Sequence, residues 1–127
     1  MGCVQDRKTK NWWVNIEDQS VGYFPAALFS NLDSADQVGW GGRTMSPSGT
    51  PGPQMGSGNF PDDNFNHACY FKQISYRDNF LHDTTPESTM VEQLADVPKC
   101  YGVDNHDTRE KEQFGYNVHF GGPGGAC

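Results

Sequence analysis

Fifteen glycines and eight prolines are scattered through 127 residues, so no stretch keeps the uninterrupted period of about 3.6 that a long helix needs. What survives between these breakers alternates instead. Phe114, Tyr116, Val118 and Phe120 fall on one side of a segment whose other side holds Gly115, Asn117 and His119. Trp12, Val14 and Ile16 alternate in the same way with Trp13, Asn15 and Glu17. Side chains of a strand point to opposite faces with a period of about two, so both segments read as half-buried strands. Cys69 to Arg77 also alternates, with Tyr70, Lys72, Ile74 and Tyr76 opposing Cys69, Phe71, Gln73 and Ser75. It reads as one long strand with aromatic rings on both faces. The fold class these segments predict is all-β, an antiparallel β-sandwich with one short helix.

The helix is expected where Pro25, suited to a first helical position, precedes Ala26-Ala27-Leu28-Phe29-Ser30-Asn31-Leu32. A turn at Asp18-Gln19-Ser20 leads into a short strand from Val21 to Phe24. Gln37 to Thr44 predicts a strand carrying small residues, and Ser46 to Gly58 is rich enough in Pro, Gly and Ser to be a loop. Asp78 to Pro98 is polar and weakly patterned, and reads as a loop with a short strand or helical turn around Thr89 to Leu94. No internal repeat is visible.

A chain of this length fits one domain that buries roughly two-thirds of its unfolded surface. Only 35% of residues are hydrophobic, but 13% are aromatic, and large rings supply the burial that the aliphatics do not. Sixteen acidic residues outnumber nine basic ones, a net charge of -7. That field repels phosphate backbones, so nucleic acid is not an expected partner. The basic cluster Arg7-Lys8-Lys10 reads as a solvated turn. No apolar run approaches the roughly eighteen residues of a membrane span, and Met1 to Asp6 has no apolar stretch of the kind a secretory leader carries.

The chemistry-bearing residues are spread out. Cys3, Cys69, Cys100 and Cys127 are too far apart for a zinc ribbon. Cys3 and Cys69 read as free thiols, whereas a bond between Cys100 and Cys127 would close the last segment onto the body and add about 3 kcal/mol in the chain-entropy account. His67, His82, His106 and His119 show no metal-ligand spacing, so no metal and no cofactor is expected. No serine stands in a Gly-x-Ser-x-Gly elbow. Glu17, Glu87, Glu92, Glu110 and Glu112 sit in polar sequence and read as solvated charges, and Asp62 and Asp63 follow Pro61 in a turn. The aromatic set is more suggestive. Trp12, Trp13, Tyr23, Trp40 and Tyr70 offer flat rings to proline or sugar faces, and Arg43 offers a planar donor fork. Gly39, Gly41 and Gly42 leave space around Trp40 for something to approach.

Five ordered blocks carry a family resemblance: Asn11-Trp12-Trp13-Val14, Val21-Gly22-Tyr23-Phe24-Pro25, Gly39-Trp40-Gly41-Gly42-Arg43-Thr44, Met55-Gly56-Ser57-Gly58-Asn59-Phe60-Pro61 and Phe120-Gly121-Gly122-Pro123-Gly124-Gly125. Together they resemble the carboxyl-terminal half of a plant neprosin domain, a family that includes a proline-directed glutamic endopeptidase. Residues 1–127 then form one partial neprosin-like domain. The resemblance implies a β-sandwich, an extracellular setting and a pairing of Cys100 with Cys127. It also implies a domain about twice this length, hence pairing with an upstream half-domain or self-association.

Glutamic peptidase chemistry needs one ionised carboxylate to activate water and a second acid to polarise the scissile carbonyl. The resemblance places one of these acids upstream of this chain and the other directly after Trp-Gly-Gly, where this sequence has Arg43. A guanidinium stays charged and accepts no proton, so Arg43 is no general base. The expectation is a resembling but inactive chain, or a noncatalytic module binding a proline-containing peptide or a cell-wall polysaccharide. Its groove would be lined by Trp40, Gly41, Gly42, Arg43, Trp13, Tyr23, Met55 and Gly56.

Overall fold

The computed structural model describes residues 1–108 and 114–126. It is all-β and antiparallel, with two single 3₁₀ turns, Ala26–Leu28 and Ser88–Met90, as the helical content of the described residues. The chain forms two compact units, Met1–Val38 and Gly39–Cys127.

The first unit is a three-stranded meander of β1 (Gly2–Gln5), β2 (Trp12–Ile16) and β3 (Gln19–Phe24). Its first turn holds the basic cluster, as the sequence implied. The Asp6 carboxylate accepts from the backbone N–H groups of Lys8 (3.0 Å) and Thr9 (2.6 Å) and from the Thr9 hydroxyl (2.8 Å). Lys10 takes a left-handed φ of 60° to close the loop. These donors, the Thr9 backbone first, hold Asp6 below its ordinary pKa. In β2 and β3 the register pairs Trp13 with Tyr23, and their rings meet at 4.8 Å.

The expected helix from Pro25 to Leu32 shrinks to the 3₁₀ turn Ala26–Leu28, and Phe29 is already extended. About two turns are too few to repay nucleation, and Ser30 and Asn31 use their side chains on each other. The backbone is held by other partners: Ala26 N–H donates to Asn11 Oδ1 at 3.0 Å, and Trp12 Nε1 reaches the Leu32 carbonyl at 3.4 Å.

The second unit is organised by β8 (Gly115–Gly121), which runs between β4 (Cys69–Phe71) and β7 (Gly102–Thr108). Alternation along β8 is as expected. Tyr116 and Val118 turn to one face, where with Ile74 they form a core against which Trp40, Phe71, Val91 and Val103 pack. The other face is buried too: Asn117 is 0% and His119 1% exposed.

Two segments depart from the strands expected of them. Cys69 to Arg77 is not one strand, because Gln73 adopts a φ of 53° and breaks it. Beyond that kink Ile74 still donates to the Tyr116 carbonyl at 3.0 Å, while Tyr76–Arg77 (β5) leaves to form a hairpin with Asp83–Thr84 (β6). A bidentate Arg77–Asp83 pair at 2.8 and 3.0 Å fastens that hairpin. Gln37 to Thr44 forms no strand at all. Its glycines offer no side chains for a ladder neighbour to pack on.

The terminal glycine block has a steric cause. Met55 and Gly122 exchange backbone hydrogen bonds at 3.0 and 3.3 Å, and Gly52 and Gly125 exchange two at 2.9 Å. The loop that the sequence placed at 46–58 is thereby stitched to the end of β8. A Cβ on Gly122 would stand 2.0 Å from the Cys100 carbonyl oxygen, so three backbones meet there with no room for a side chain.

Candidate functional site

The residues expected to line a groove divide between the two units. Trp13 and Tyr23 belong to the first, where their rings meet at a tilt of 42°. Trp40, Gly41, Gly42, Arg43, Met55 and Gly56 belong to the second. There, Trp40 is half-buried against the Ile74–Tyr116–Val118 core. Gly39 and Gly41 face open space, as the sequence suggested, but Gly42 does not: a Cβ on it would meet Met55 Sδ at 2.6 Å and the Phe120 ring at 2.9 Å. Gly56 is pressed in the same way against Cys69 Sγ. Phe120 in turn stacks on Phe71 at 5.2 Å.

The Trp-Gly-Gly block and the Met-Gly block therefore meet near the end of β8, Gly42 against Met55 and Phe120 and Gly56 against Cys69. Arg43, the next residue, is exposed and makes no hydrogen bond or ion pair with any described residue. Glu17, Glu87 and Glu92 are exposed as expected, and Glu110 and Glu112 lie outside the described residues.

Cys3 and Cys69 are free thiols. Cys100 is buried, its Sγ 3.1 Å from the Gly124 carbonyl oxygen. Its expected partner, Cys127, lies outside the described residues. No helix among the described residues is long and apolar enough to cross a membrane.

The opposite face of the same sheet gathers residues that sequence reading kept apart. In register, Asp104 of β7 faces His119 of β8, which also faces Tyr70 of β4, and His106 lies two residues along β7 on the same side. The segment 62–67 covers this face. Phe65 sits against His119 (4.5 Å), Tyr70 (4.8 Å) and Phe114 (4.2 Å). Asp62 binds its own backbone through Asn64 N–H at 3.3 Å, as the turn reading expected, and also pairs with His67 Nδ1. The hydrogen bond from His67 holds Asp62 below the usual carboxylate range.

Asp63, at a left-handed φ of 62°, places Oδ1 2.8 Å from His106 Nε2, and Asp104 Oδ2 is 3.3 Å from the same nitrogen. His119 lies against His106 with ring centroids 5.5 Å apart. Burial first, and the neighbouring His106 second, push the His119 pKa below the ordinary histidine value. The one local signal was the spacing of Asp104 and His106, two apart on a strand. Asp63 comes from a distant loop that only the topology delivers.

Compared with known protein families, residues 1–123 match the family described as Neprosin. No solved structure matches the chain.

Proposed function

Because the chain belongs to the neprosin family, we propose that it is a noncatalytic member that retains a groove for proline-containing peptide. The observation that carries this reading is Arg43. The family's peptidases place a catalytic Glu directly after Trp-Gly-Gly, and a permanently charged guanidinium there neither takes a proton from water nor donates one as a neutral acid does. Beside it, Trp40 packs on the core and Gly42 is closed against Met55 and Phe120.

An exposed cation without a partner among the described residues, close in sequence to a half-buried indole, suits recognition rather than proton transfer. The indole edge offers a surface for a proline ring, and the guanidinium fork matches a peptide carboxylate or carbonyl. The proposed groove is built from Trp40, Gly41, Gly42, Arg43, Met55 and Gly56 of the second unit. A pairing of Cys100 with Cys127 and an extracellular setting belong to the same reading, since a structural disulfide persists in oxidising compartments.

The test is an equilibrium titration of a fluorescently labelled proline-rich peptide with the wild-type chain and the Arg43→Ala variant, alongside a soluble cell-wall polysaccharide as competitor. The reading expects saturable peptide binding, weakened about tenfold by Arg43→Ala, as for loss of one charge-assisted contact. Absence of peptide binding, or affinity indifferent to Arg43, defeats it. Binding of the polysaccharide alone replaces the peptide with a sugar ligand.

A further inference from the structure

We propose that Asp63, Asp104 and His106 hold a divalent cation of the zinc class, with His119 as the adjoining imidazole. One ligand atom from each of the first three lies within 4.8 Å of the others. Donors bound to a single zinc at about 2.0–2.2 Å stand roughly 3.3 Å apart in a tetrahedral arrangement. His106 Nε2 already lies 2.8 and 3.3 Å from the two carboxylate oxygens. That nitrogen is buried, yet it makes no hydrogen bond of regular geometry to either. A cation between the three donors needs no N–H in line with an oxygen, and its two positive charges offset carboxylates that otherwise crowd one imidazole.

His119 is the independent observation. It is 1% exposed, and its Nδ1 has no hydrogen-bond partner among the described residues. Strand pairing sets it directly across from Asp104, so its side chain is turned to the face that carries the cluster. A buried imidazole nitrogen without a partner is costly unless a donor or a metal meets it.

The donor set chooses the class of ion. Imidazole with carboxylate suits zinc and its transition-metal neighbours, whereas calcium and magnesium prefer six or more oxygens. The ion would fasten the 62–67 segment to β7, since Asp63 comes from the former and Asp104 and His106 from the latter.

The experiment uses the full chain, freed of metal with chelator, in a Cys3→Ser background so that the exposed thiol takes no ion. Calorimetric titration with zinc chloride is compared with calcium and magnesium chlorides, and cobalt(II) absorption reports the ligand type. The expected result is one zinc per chain, no calcium or magnesium uptake at the same concentrations, and a cobalt spectrum without a thiolate band. Asp63→Asn and His106→Gln each weaken zinc at least tenfold, and His82→Gln leaves it unchanged. Asp63 is 75% exposed in its side chain, at a φ that Asn tolerates, so Asp63→Asn keeps the fold. No stoichiometric zinc uptake, uptake undiminished in Asp63→Asn and His106→Gln, or equal loss in His82→Gln overturns the assignment.

Discussion

Replacing Gly122 by Ala tests whether the terminal glycine block is a close meeting of backbones. The added methyl would stand 2.0 Å from the Cys100 carbonyl oxygen, 2.8 Å from Tyr101 Cα and 2.9 Å from the Cys100 carbonyl carbon. All three are backbone atoms, so no side chain can swing away, and the strand end must retreat by about an ångström or more to restore contact. That retreat separates Gly122 from Met55, which exchange hydrogen bonds at 3.0 and 3.3 Å. Overpacking of this kind costs about 1–3 kcal/mol, and two backbone hydrogen bonds add about 1 kcal/mol each. The sum, about 3–5 kcal/mol, approaches the whole stability of a marginal domain. Gly41→Ala is the control, because a Cβ there meets nothing within 4 Å and should stay within about 0.5 kcal/mol of wild type. Urea unfolding of both variants, followed by tryptophan fluorescence, measures the difference. A Gly122→Ala protein as stable as Gly41→Ala would refute the steric account of the block.

Tyr116→Phe removes the acceptor to which Asn105 Nδ2 donates at 2.6 Å. With Tyr116 fully buried, the expected loss is about 1–2 kcal/mol in the same unfolding assay. Asp6→Ala should show a pH-dependent penalty. The Asp6 pKa is lowered in the folded chain, so the unfolded state binds protons more readily. Its stabilising contribution is therefore present above the ordinary carboxylate value of about 3.9 and is lost as the pH falls through the lower folded value. Denaturation at pH 7 and at steps below the ordinary carboxylate value should find the variant's deficit largest at pH 7 and shrinking as the pH falls. Arg43→Glu should leave the thermal midpoint unchanged, because Arg43 is exposed and engages no described residue, while weakening binding of the proline-rich peptide at least as much as Arg43→Ala does.

The strands legible from sequence were those whose alternation carries aromatic and branched residues. Phe114 to Phe120 is the clearest, and its apolar side is the core of the second unit. Its neighbour β7, Gly-Val-Asp-Asn-His-Asp-Thr, gave no such signal, because Asp and Asn are poor strand residues and one of its faces carries the His–Asp cluster instead of core. Gln73 was read as one more alternating residue, since nothing in its side chain announces a left-handed backbone. Pro25 followed by alanines had the look of a helix start, but the segment was too short to hold one without a packed face.

Site residues follow the same division. Trp40 and Gly42 were singled out as groove candidates because glycines leave space around the tryptophan, and Met55 and Gly56 because they stand in a block that resembles the family pattern. That Met55 rests on Gly42 was not visible, as it depends on the Met55–Gly122 bridge. The His–Asp face was dismissed on spacing. Its members come from a loop and two strands, and strand register brings them onto one face.

The central claim is that the family framework persists here with its chemistry removed. Incubating the purified chain with a proline-rich peptide at acid pH, and reading the products by mass spectrometry, tests this most directly. The account predicts intact peptide after prolonged incubation, at a concentration where the titration shows it bound. Fragments ending at proline, produced by wild type and lost on denaturing the protein, would contradict it.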